Sequence, residues 1–313
     1  MARFIMKRLL TMAATMVLVS LILFVLMEFS PGSVATKVLG PYSSEQQRHL
    51  WLEAHGYLEP LHWRYLTWLG DLLQGDFGES TRFKVPVSEV LWPRLGATAL
   101  LGGVVLVLLV PLSLGLGVLA GMREGSALDR VISLGSIVTT SVPEFASAVI
   151  LGAVFVFWLG WLPGTSSMAS GFRIQELILP AAVLVLYDAG YVARMTRASM
   201  VEVMGMPYIR AAVLRGLPAW RVILGHALRN ALITPFTVIL LQVNWLLSGV
   251  IVVEFFFAYK GFGSLLLEAA LNQDLFLIEA CTMVAVVVAV GTQTLADIGY
   301  RFLNPRIRLH ETP

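Results

Sequence analysis

The residues able to do chemistry in this chain are few and far apart. Residues 208–230, YIRAAVLRGLPAWRVILGHALRN, hold four arginines (Arg210, Arg215, Arg221 and Arg229) between two long apolar runs. A guanidinium is permanently charged and presents a rigid fork of donors, so this density asks for anionic or carbonyl partners, whether lipid phosphates or groups on another chain. A second set is acidic. Glu144, Asp188, Glu279 and Asp297 fall in or near apolar runs, where a central carboxylate costs on the order of 2.5–3.5 kcal/mol and must face a cavity, a partner or an interface. The four lysines, Lys7, Lys37, Lys84 and Lys260, complete no G-x-x-x-x-G-K-[ST] frame, so no phosphate-cradling loop is present. His49, His55, His62, His226 and His310 build neither H-E-x-x-H nor a Ser-His-Asp arrangement, which ranks a membrane enzyme lowest. Cys281, the only cysteine, reads as a small buried hydrophobe.

Composition decides what must position these groups. The chain is 57% hydrophobic and 13% charged, against about one quarter charged in a soluble domain, so its solvent is a bilayer. A net charge of +2 argues for no nucleic-acid partner. Six segments are apolar over roughly the 20 residues that cross about 30 Å of hydrocarbon: Leu9 to Met27, Ala97 to Gly121, Val131 to Phe157, Leu177 to Ala193, Ala231 to Val253 and Phe276 to Tyr300. The first is longer than a signal h-region and lacks a small-x-small cleavage site, so it is expected to be retained. Segments 1–8, 122–130, 194–230 and 301–313 carry 14 of the 22 Lys/Arg. The positive-inside rule therefore places them, and both termini, in the cytoplasm. The fold expected is an all-α integral membrane protein of six transmembrane helices.

Within the arginine segment Pro207 starts a helix to Arg215, Gly216-Leu217-Pro218 breaks it, and a second helix begins near Ala219. Trp220, Ile223, Leu224, Ala227 and Leu228 then fall on one apolar stripe, with Arg221 and Arg229 off it. Two readings stand: an interfacial helix on lipid phosphates, or an element that docks on another protein. At membrane depth Asp297 has Arg301 four residues on. Asp188, midway along the fourth span beside Tyr187, either lines a pathway or bonds helices together, and Gln242 and Asn244 in the fifth span allow the same two readings. Glu254 to Leu275 has the length of a partly re-entrant helix on the outer side.

The segment YIRAAVLRGLPAWRVILGHALRNALITP resembles the cytoplasmic EAA-type loop of binding-protein-dependent ABC importer permeases, in the form of the dipeptide, oligopeptide and nickel group. FSPGSVA (29–35), YLTWLGDLLQGDFGES (65–80), SVPEF (141–145), VVEFFFAYKGFGSLL (252–266) and NPRIR (304–308) are similar to further blocks of that family in the right order, so the resemblance covers essentially the whole chain. Three positions depart from its pattern: Arg210 stands where the general motif has Glu, Pro31-Gly32-Ser33-Val34 replaces Pro-Gly-Asp-Pro, and Asn304 replaces Asp. The resemblance implies a type I ABC importer permease fold. Its parts would be a first helix with an extracytoplasmic helical region (1–96), a five-helix domain (97–303) containing a coupling loop (194–230), and a cytoplasmic tail (304–313).

That resemblance makes Tyr208, Arg210, Ala211, Ala212, Arg215, Gly216, Leu217, His226, Arg229 and Asn230 the ATPase-coupling residues. Ala212 and Gly216 are expected to allow close packing. Asp188, Gln242, Asn244 and Glu144 become pathway candidates. No cofactor is expected on this chain; ATP and Mg belong to partner ATPases. The implied partners are a second homologous permease in a heterodimer, two ABC ATPase subunits or domains, an extracytoplasmic solute-binding protein docking on 28–96 and 254–275, and the bilayer of a bacterial or archaeal cytoplasmic membrane. The competing class is an ion- or proton-coupled secondary transporter, for which no inverted repeat or paired broken helices are visible. Dipeptide, oligopeptide, nickel chelate, opine and glutathione all remain open as cargo.

Overall fold

The computed structural model describes residues 2–28, 31–169 and 171–303; Phe29, Ser30 and the 304–313 tail, with its NPRIR block, lie outside them. The described residues are helical, with one isolated bridge, Glu79 to Pro86. Among the described residues four helices are long and apolar enough to cross a membrane, or up to six spans if each of two bent pairs counts as one. The chain divides into two compact units, Met1–Ala97 with Ser264–Thr294 and Thr98–Gly263 with Leu295–Pro313.

The first unit contains α1 (Ala2–Glu28), α2 (Pro31–Leu39), α3 (Glu45–Ala54) and α4 (Leu61–Gln74). Ser44 opens α3 with a capping box closed by Gln47, which satisfies two amides that the first turn leaves without helical partners. α1 meets α4 through Phe24, edge-on to Tyr65 at 5.4 Å, and through a 2.9 Å hydroxyl pair between Ser20 and Tyr65. Buried Asp274 accepts from the Ser80 hydroxyl at 2.5 Å and from the Arg82 amide at 3.0 Å, so one carboxylate fixes the turn around residues 79–86.

The second unit is built on α8 (Ile174–Met204), with α5 (Val87–Met122) entering it beyond Ala97. α6 (Ala127–Ser141), α7 (Glu144–Gly152) and α12 (Ile233–Phe256) all pack on α8. Small residues set how closely they approach. A Cβ at Gly121 of α5 would lie 2.6 Å from Met200 Cβ, and one at Gly190 of α8 would lie 2.6 Å from the Ser136 carbonyl of α6. The segment read as the third span, Val131 to Phe157, is two helices that are together apolar enough to span but bent by 102°, as in a broken span or a re-entrant loop. The break falls at Val142-Pro143, where proline supplies no amide to the preceding turn; a π-helical turn (Ala153–Trp158) completes the second arm. α8 also runs past Ala193, the predicted end of the fourth span, carrying Arg194 and Arg197 in helix.

After α8 come α9 (Pro207–Leu214), α10 (Ala219–Arg221), a π-helical stretch (Val222–Ala227), α11 (Leu228–Ala231) and α12; then α13 (Phe262–Asn272) and α14 (Leu275–Leu303). At the end of α12 the buried Glu254 carboxylate accepts the Thr98 hydroxyl, whose oxygen takes the Phe262 amide at 2.7 Å. A side chain at Gly261 would collide with that carboxylate. Burial, then the nearby Glu254 charge, pushes the Tyr259 phenol up to about 12, so it remains a neutral donor at any physiological pH.

Candidate functional site: the arginine elbow and the buried carboxylate

Pro207 occupies the first turn of α9, where its missing amide has no helical partner to lose. The helix ends at Gly216, whose φ of +76° is left-handed, with the Gly216 amide on Val213 O at 2.9 Å and the Leu217 amide on Ala212 O at 3.4 Å. Pro218 then caps α10. The chain thus makes a tight elbow with a residue type suited to each backbone conformation.

One face of the elbow is anchored. Ile209, Ala212, Val222, Ala227 and Ala231 form a buried cluster with Met200 and Val203 of α8, and Leu217 packs against it. The Ser199 hydroxyl of α8 donates to Ala231 O at 2.8 Å, and Asn230 Nδ2 donates to the Tyr208 hydroxyl at 2.9 Å. Ala212 therefore packs inside its own chain. Nothing lies within 4 Å of a Cβ built at Gly216; within this chain its missing side chain serves the backbone, not a close contact.

The other face is open. Leu214 is 87% exposed, and Tyr208, Val213, Trp220 and Leu224 are also exposed. Ala211, Arg210, Arg215, Arg221, His226 and Arg229 are exposed as well, and among the described residues none of the four arginines is in an ion pair. Arg221 lies over the Trp220 ring at 5.1 Å. The expected apolar stripe holds only in part: Ala227 is buried and Ile223 packs on the cluster, whereas Trp220 and Leu224 point out at 58% and 60% exposure and Val222, off the stripe, points in. The cause is the π-helical turn, whose i→i+5 bonds shift the inward face relative to a 3.6-residue period.

A second anchor was not apparent in the sequence. Asp129 takes two bonds from Arg197, from its Nε and, at 2.7 Å, from its Nη2, and accepts the Gly125 amide at 2.9 Å. Ser126 caps the same helix through the Asp129 amide. The available signal was the S-x-x-D start of α6; its pairing with a residue 68 positions away had none.

The pathway candidates converge in part. Asp188 of α8 is 0% exposed. Its Oδ1 accepts from Gln242 Nε2 of α12 at 2.5 Å, and its Oδ2 is buried without a hydrogen-bond partner among the described residues. Glu144, the first residue of α7, is half-buried and close enough to act on Asp188 electrostatically. The side chains of Asn244 and Arg301 lie outside the described residues. Glu279, in the other unit, accepts the Trp68 indole N–H at 3.2 Å.

Comparison with known proteins covers nearly the whole chain. Residues 113–309 match the family described as binding-protein-dependent transport system inner membrane component, and residues 1–99 match its N-terminal companion family. The oligopeptide transport system permease protein AppB of Bacillus subtilis (strain 168) is 36% identical over 98% of this chain and 99% of its own length. The dipeptide transport system permease protein DppB of the same organism is 34% identical over 99% of both chains. The glutathione transport system permease protein GsiC of Salmonella paratyphi A is 33% identical over 98% of this chain and 99% of its own.

Proposed function

The chain belongs to the family of binding-protein-dependent transport system inner membrane components, and from that premise we propose that it forms half of the translocation pathway of a peptide importer. It is a permease subunit of an ABC importer: not catalytic itself, with the ATPase on a separate subunit and a solute-binding protein as a further partner. A peptide cargo is supported by the oligopeptide and dipeptide permeases among its relatives. The remaining assignments are part of the proposal. They comprise six spans with both termini in the cytoplasm of a bacterium or archaeon, a heterodimer with a related permease, and ATP with Mg on two ATPase subunits. Residues 194–230 form the coupling loop, Tyr208 to Asn230 its working part, and Asp188, Gln242, Glu144 and Asn244 belong to the pathway.

The observation that carries this reading is the mechanical continuity of the elbow with α8. α9 is fastened by Ile209 and Ala212 to Met200 and Val203, and α8 continues unbroken to Ile174, about 45 Å at 1.5 Å per residue. A force applied to the exposed tip at Leu214 is carried along α8 to Asp188. The exposed arginines and tip give a neighbouring ATPase its handle.

The test is uptake of a labelled dipeptide by proteoliposomes holding the full transporter and its binding protein. Uptake is expected to require internal-side ATP and to survive a protonophore. Uptake that needs a proton gradient and no ATP refutes the reading.

A further inference from the structure

Asp188 poses a chemical problem that its helix packing leaves unsolved. It is fully buried on a helix long enough to cross the membrane. One oxygen is taken by Gln242 and the other has no partner among the described residues. A buried carboxylate oxygen in that condition calls for a partner. The charge that bears on it is another carboxylate, Glu144. Two ionised acids at this depth would be relieved by a positive charge brought to them.

The surrounding packing holds this arrangement in place. Gly190, two residues beyond Asp188, lets α8 press against the Ser136 carbonyl and Thr139 hydroxyl of α6, and the Pro143 break then turns the chain so that Glu144 begins α7. α12 packs on both α7 and α8, which brings Gln242 to Asp188. Glu144 and Gln242 are each half-buried, whereas Asp188 has no exposed surface, so a cargo reaches its free oxygen only when the helices around it part.

We propose that Asp188, Glu144 and Gln242 form a station that accepts a primary ammonium of the cargo as it passes. The proposal rests on the importer reading above and adds the chemistry recognised. Gln242 has given an N–H to Asp188 and still has its amide oxygen as an acceptor. With Asp188 Oδ2 and the Glu144 carboxylate that makes three acceptors on three different helices, matching the three donors of –NH3+. The ammonium is carried by an amino terminus or by a lysine side chain.

The experiment is single-turnover uptake into proteoliposomes containing the complete transporter, from binding protein preloaded with Ala-Ala, N-acetyl-Ala-Ala or N-acetyl-Ala-Lys. The same binding protein serves every variant, so its own preferences cancel when variants are compared. In Asp188→Asn, uptake of Ala-Ala, of N-acetyl-Ala-Lys or of both is expected to fall tenfold or more relative to N-acetyl-Ala-Ala. A fall confined to Ala-Ala assigns the station to the amino terminus, and one confined to N-acetyl-Ala-Lys to the side chain. Asp188→Glu is expected to restore most of the ratio. An unchanged ratio in Asp188→Asn, or an equal loss for all three cargoes that Asp188→Glu does not repair, overturns the station while leaving the importer standing. Absence of ATP-dependent uptake of any cargo by the wild type overturns both.

Discussion

Arg197 shows how one residue changes meaning between sequence and structure. Counted by charge it belongs to the cytoplasmic loop; in the fold it lies in α8 and grips Asp129 with both ends of its guanidinium. Asp129 is 3% exposed, so removing the guanidinium leaves a buried carboxylate with only the Gly125 amide and Ser133 hydroxyl. Arg197→Ala is therefore expected to destabilise the protein, read as a lowered Tm in detergent. Arg197→Lys is expected to recover less than half, because an ammonium cannot reproduce the two-pronged bond. Among the pathway candidates, Asp188 was legible as an acid out of place. Its bond to Gln242, 54 positions away, was not, because a tertiary contact between two spans has no periodicity to read.

At the scale of elements, proline and glycine were the most legible signals. Pro207, Gly216 and Pro218 placed the start, end and restart of the elbow helices within a residue. The stripe on the second helix was right for Ile223 and Ala227 and wrong for Trp220 and Leu224, because a 3.6-residue period was applied across a π-helical turn, whose presence nothing in VILGHA announces. The bend in the third segment went unread for the opposite reason: Pro143 was visible, but an apolar run continuing through it to Phe157 read as one straight helix. Gly216 sits at φ +76° with open space around it, so substitutions act through the backbone. Gly216→Ala is expected to destabilise the elbow by about 1–2 kcal/mol and Gly216→Asn by less. ATP hydrolysed per dipeptide imported should rise in the first and stay near wild type in the second. The α5–α8 approach has no such slack: a Cβ at Gly121 meets both Met200 and the Arg197 carbonyl. Gly121→Leu is expected to abolish correctly folded protein, seen as aggregation by size-exclusion chromatography, whereas Gly102→Leu, where nothing lies within 4 Å, is expected to elute as wild type.

For the whole molecule, a bilayer solvent and an all-helical fold followed from composition and span length alone. The division into two units did not, because the first unit joins 1–97 to 264–294 across a gap in sequence that hydropathy cannot bridge. The function was legible where the chain does least chemistry: its sequence shows neither a catalytic constellation nor a phosphate loop, and the work proposed for it is to pass on a motion. The most direct measurement of that work uses the chain's single cysteine, Cys281, which is buried and so leaves an engineered thiol as the one reactive site. Leu214→Cys places a thiol at the exposed tip of the elbow. Cross-linking it in native membranes is expected to capture an ATPase subunit, with a yield that changes between ATP-bound and nucleotide-free states. Capture of phospholipid alone in both states would contradict the account.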